Sequence, residues 1–146
     1  MEKVNYRKVG DNIFVSLQTG DLVNESLREI AVKENISNAW INGIGAIDSV
    51  EIGYMDVVNK KYQKRNFNDN YELISLIGNI TIKDGVPFVH THITFSDTEY
   101  KVFGGHLFDA NITATGEIIL TVTDSKIDRQ FNENVGIHTW CLSENN

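Results

Sequence analysis

The chain has 146 residues, with 13 Lys and Arg against 20 Asp and Glu, for a net charge of −7. That length suits a single domain spanning 1–146, and the charge has the wrong sign for gripping phosphate backbones by counterion release. The lone Cys141 excludes an intramolecular disulfide, no apolar run approaches the ~18 residues of a membrane helix, and no signal-peptide core follows Met1, so the expected compartment is the reducing cytoplasm.

Composition leans toward sheet. Ile (17), Val (13) and Thr (10) are β-branched and favour the pleated surface of a strand. One proline, no low-complexity run and no internal repeat leave no sign of a linker or second domain.

In chain order, Asn12–Gln18 reads as a strand. Thr19-Gly20-Asp21 comes next, where the Asp21 carboxylate is placed to accept from the free amides that open a helix. In that helix Val23, Leu27, Ile30 and Ala31 recur at i, i+4, i+7 and i+8, with Glu25, Arg28, Glu29 and Lys33 on the other side. One stripe should therefore lie on a sheet, and the helix should end near Asn35. The rest of the chain reads as strands over 39–46, 50–58, 62–67, 71–82, 86–95, 100–108, 112–123 and 137–142, separated by turns such as Asn59-Lys60-Lys61, Lys83-Asp84-Gly85 and Ser96-Asp97-Thr98-Glu99. The expected class is α+β, one main helix covering a mostly antiparallel sheet.

Histidines carry the chemistry. His90 and His92 are two apart in a strand, so both imidazoles project from one face. In an antiparallel hairpin centred on Thr98, residue 90 pairs with His106 and all three share that face; a shift of two preserves this, whereas an odd slip turns His106 away. Three neutral imidazoles with an open fourth position suit Zn²⁺ or a similar divalent ion. A His-x-His pair alone is a weak signal and more often belongs to a solvated strand face; Gly104-Gly105 before His106 strengthens the metal reading, because glycine in a strand marks a close approach of backbone or ligand. His138 has no spaced companion and reads as a structural or surface histidine.

Four stretches in this order resemble a known family: Gly43-Ile44-Gly45-Ala46, the Tyr-Glu-Leu-Ile-Ser-Leu-Ile-Gly-Asn-Ile segment at 71–80, His90-Thr91-His92, and Gly104-Gly105-His106-Leu107. Together they look like the plants and prokaryotes conserved domain, PPC or PCC, over nearly the whole chain from about Val9 to Leu142. The resemblance implies an α+β domain with a strongly curved antiparallel sheet and one main helix, assembled as a homotrimer. It also implies a metal, commonly zinc, at the positions of His90, His92 and His106. Prokaryotic members are often labelled DNA-binding, and in plant members an Arg-Gly-Arg-Pro-type hook carries the DNA contact. This chain has no such hook: Arg7, Arg28, Arg65 and Arg129 are scattered singly, and its basic cluster, Lys60, Lys61, Lys64 and Arg65, surrounds a turn. The implied function is a metal-binding module with a regulatory, DNA-associated role, direct DNA binding being disfavoured by charge.

The alternative is a metal-dependent enzyme acting on a small-molecule ligand. A three-histidine metal can acidify bound water to a pKa of ~7, and a carboxylate could then move protons. Glu72 and Glu117 are the catalytic candidates, ahead of Asp97 and Glu99 in a turn. Cys141 beside Trp140 is isolated, no Ser occupies a Gly-x-Ser-x-Gly elbow, and the glycines at 43 and 45 precede no helix opening, so nucleophilic and phosphate-cradling readings fall away.

Overall fold

Strict alternation along β2 (Asn12–Gln18) buries Ile13, Val15 and Leu17 and turns Phe14 and Ser16 outward. The same two-residue period organises most of the computed structural model, which describes residues 4–143. Its remaining strands are β1 (Asn5–Val9), β3 (Ala39–Asp56), β4 (Lys61–Phe67), β5 (Tyr71–Lys83), β6 (Val86–Ser96), β7 (Val102–Val122), β8 (Asp128–Asn132) and β9 (Ile137–Cys141). Among the described residues all nine join one sheet, antiparallel except for a single parallel bridge, Ile82 to Asp128, between β5 and β8.

Two pairs of expected strands are in fact single strands. The segments at 39–46 and 50–58 merge into β3, and those at 100–108 and 112–123 merge into β7. β3 and β7 pair along almost their whole length, and breaks in polarity that read as turns are absorbed as register shifts, one of them around Ser49 at φ 49°. Two strands have no counterpart in the sequence reading. β1 and β8 are short and polar, and pairing with β2 and β9 is what makes them strands.

β3 pairs with β5 and β7, β5 with β6, and β6 with β7, so the pairings of these four strands close a circuit. The β5–β6 connection falls at the expected Lys83-Asp84-Gly85 turn, but Lys83 still pairs with Val86, leaving a two-residue loop of Asp84 and Gly85, both at positive φ as a tight hairpin demands. The single helix among the described residues, α1 (Val23–Lys33), packs against β6 and β7 and buries the predicted stripe Val23, Leu27, Ile30 and Ala31 in the apolar core.

Helix capping differs from expectation. Asp21 accepts from the Gln18 amide, and the N-cap is Leu22, with no side-chain cap. The free helix amides are met from β7 instead: Asp109 Oδ1 accepts from Asn24 N at 2.9 Å and Oδ2 from Glu25 N at 3.3 Å. A carboxylate there also complements the positive end of the helix dipole. No helix of the described residues is long and apolar enough to cross a membrane.

Candidate metal centre

β6 presents His90 and His92 on one face, while Thr91 between them is fully buried and donates to Asn24 Oδ1 on α1 at 2.7 Å. β7 brings His106 directly opposite His92. The hairpin is thus centred on residue 99, two ladder positions along from the Thr98-centred register, and the shift of two keeps all three rings on one face. Candidate ligand atoms of His90, His92 and His106 lie within 4.8 Å of one another. The two glycines before His106 mark close backbone approach: a Cβ on Gly104 would stand 2.8 Å from Ile93 O and one on Gly105 3.0 Å from Gly53 O.

The three rings are held differently. His106 lies half-buried, stacked on Tyr62 at 4.6 Å between centroids and meeting the edge of Phe108 at 4.9 Å. Its Nδ1 is buried and, among the described residues, has no hydrogen-bond partner. His90 is half-buried beside Arg129, and His92 is exposed. Burial depresses the His90 imidazole to a pKa of about 4, helped by the charge of Arg129 and the other two histidines. Burial likewise lowers His106 to about 4, with His92 and Lys64 adding to the effect. Both rings are therefore neutral at pH 7, the protonation state in which an imidazole can ligate a metal.

A cavity of about 440 Å³ opens beside His90 and His106. Arg129 and His138 of the C-terminal hairpin line it, as do Phe88 and Asp109. His138, read as a lone histidine, packs its ring against Phe131 and accepts from Arg129 through its backbone oxygen. Burial raises the Asp109 carboxyl from its ordinary value, against the lowering effect of its three backbone hydrogen bonds.

Neither catalytic candidate lines this cavity. Glu72 is an exposed residue opposite Ser96, and Glu117 borders a separate groove with Arg7 and Phe14. The residue that sequence reasoning passed over is Arg129, one scattered arginine in an unrecognised strand. Its distance in sequence from the histidines left no spacing signal to find it by.

A family model described as the Plants and Prokaryotes Conserved (PCC) domain matches residues 4–124. Among solved structures, a protein from Bacteroides thetaiotaomicron provisionally named DNA-binding is 26% identical, with a TM-score of 0.92 over 96% of this chain and 98% of that one. A plant- and prokaryote-conserved protein from Pyrococcus horikoshii is 32% identical, with a TM-score of 0.84 over 99% of this chain and 98% of its own. A metal-containing protein from Archaeoglobus fulgidus is 32% identical, with a TM-score of 0.83 over 97% and 99% of the two chains. Among curated proteins none matches.

Proposed function

Since the chain belongs to the Plants and Prokaryotes Conserved (PCC) domain family, we propose that it is a single-domain homotrimeric module holding one divalent ion per subunit on His90, His92 and His106, in a regulatory, DNA-associated role. The observation that carries this reading is the cluster itself: three imidazoles converge, and one buried ring nitrogen, His106 Nδ1, has no partner among the described residues. Leaving such an atom unmatched costs about 1–3 kcal/mol, which a metal bond offsets. An all-nitrogen donor set of three suits zinc or a similar ion. The metal-containing relative from Archaeoglobus fulgidus supports the same reading.

The trimer is supported by an apolar row on the outer face of the sheet. Ladder partners run from Phe14 through Ile119, Asn42 and Ile77 to His92, and Phe14, Ile119 and Ile77 are 47%, 38% and 44% exposed. Subunits packed on this row would cover it. On this reading the sheet is strongly curved because four of its strands close on themselves, α1 is its cover, and the lone Cys141 fits a reducing cytoplasm. The DNA association rests on the names of relatives, and the charge of −7 directs it through a partner.

Metal analysis of protein purified without chelator, combined with sedimentation, tests the proposal. We expect close to one equivalent of transition metal per chain and a trimer mass. Less than about a tenth of an equivalent after zinc loading, or a monomer at micromolar concentration, overturns it.

A second reading, a metal-dependent enzyme acting on a small molecule, is favoured by the cavity beside the histidines. An ion with an open position would there supply Lewis acidity and an acidified water. Turnover lost with His106→Ala and restored by no metal-free preparation is its test.

A further inference from the structure

Arg129 lies on β8, beyond the segment that the family model matches. Its guanidinium is tied at several points. Nε donates to Thr81 Oγ1 at 2.7 Å, Nη1 to the His138 carbonyl at 3.1 Å, and Nη2 to Asn79 Oδ1 at 2.8 Å. Nη2 also meets His90 Nδ1 at 3.2 Å. A guanidinium has five N–H donors and no acceptor, so at this last contact the arginine donates and the ring lone pair accepts.

That contact and a metal on His90 exclude each other. An ion at Nδ1 takes the lone pair that Arg129 uses; an ion at Nε2 leaves the ring proton on Nδ1, facing the guanidinium donor to donor. Ligation therefore frees an Nη2 hydrogen, adding to the second Nη1 hydrogen, which has no partner among the described residues. No carboxylate makes an ion pair with Arg129 among those residues. The two acids lining the cavity are already engaged, Glu25 by Arg28 at 2.6 Å and Asp109 by the helix amides. The result is a half-buried cation with free donors, beside a metal site, in a chain of net negative charge.

Resting on the metal reading above, we propose that the cavity beside the three histidines binds a small organic carboxylate, its oxygens accepting from Arg129. The fork of a guanidinium matches a carboxylate. Lys83, the other lining cation with no ion pair among the described residues, lies over the Phe88 ring at 4.9 Å. Pro87, Phe88, Val89 and Ile137 wall the cavity with apolar surface, which suits a carboxylate on an organic body better than inorganic phosphate. Phe88 lies 5.2 Å from the guanidinium and helps fix its plane. The volume of about 440 Å³ accommodates an acid of a few carbons.

The test is calorimetric titration of the zinc-loaded protein with lactate and with lactamide, its neutral isostere, with zinc content measured on the same samples. We expect lactate to bind at least about tenfold more tightly than lactamide, the worth of a charge-assisted hydrogen bond. Arg129→Gln should weaken lactate by a similar factor without lowering zinc content, and Arg129→Lys should recover part of the loss. Equal binding of lactate and lactamide by zinc-loaded wild type overturns the anion site alone, and needs no variant to fold. An Arg129→Gln protein with full zinc and unchanged lactate affinity does the same. Failure to take up zinc overturns the metal reading, and this proposal with it.

Discussion

His92 and His106 are direct cross-strand partners, and the two rings stand 5.8 Å apart between centroids although fourteen positions separate them in the chain. The pairing makes the third candidate ligand a property of the β6–β7 register. His106→Ala should lower zinc affinity by more than the ~10–100-fold that loss of a supporting partner costs, and His90→Ala should do the same. His138→Ala, outside the cluster, should retain its zinc. Competition against a chelator of known affinity measures all three.

Asp109 bridges β7 to the start of α1, beside Asn24, whose amide donates to Leu107 and Phe108 carbonyls. Asp109→Ala should cost about 1–2 kcal/mol, the worth of a strong helix cap. Asp109→Asn, which keeps an acceptor oxygen, should cost less. Urea unfolding followed by tryptophan fluorescence reads both.

The depressed histidines fix a direction for acid sensitivity. Unfolded His90 and His106 take up protons near pH 6.5, whereas in the folded chain they do so only near 4. Between those values the unfolded state binds more protons, so metal-free protein should lose stability as pH falls from 6.5 to 4. In chelator-treated samples, a His90→Asn/His106→Asn double variant should lose distinctly less over the same window. Urea midpoints at pH 7 and 4.5 give the comparison.

The basic turn is less available to phosphates than its composition suggests. Lys60 donates to the Glu133 carbonyl, Lys64 pairs with Glu51 at 3.2 Å, and the Arg65 guanidinium lies over Phe67 at 4.8 Å. The protein alone should therefore bind duplex DNA weakly and without sequence preference at ~150 mM salt. A dissociation constant of about 10⁻⁸ M or tighter for any duplex in a fluorescence titration contradicts this.

What the sequence by itself determined is what depends on neighbours within a few residues. The apolar stripe from Val23 to Ala31, the Asp84-Gly85 hairpin and the shared face of His90 and His92 come from helical period, positive φ and strand alternation. The face of His106 was legible too, because a register shift of two leaves parity unchanged. The shift itself was set by a turn in which Asp97 Oδ1 accepts from both Glu99 N and Lys101 N, so that β7 begins only at Val102. Only the tertiary structure decided the rest. Asp109 became the helix cap because β7 passes the first turn of α1, and 39–56 became one strand because β7 pairs along it. Arg129 reached His90 because the β8–β9 hairpin docks on β5 through Asn79, Thr81 and the Ile82 bridge. These contacts join residues tens of positions apart, and no local period or spacing encodes which long-range pairing will close.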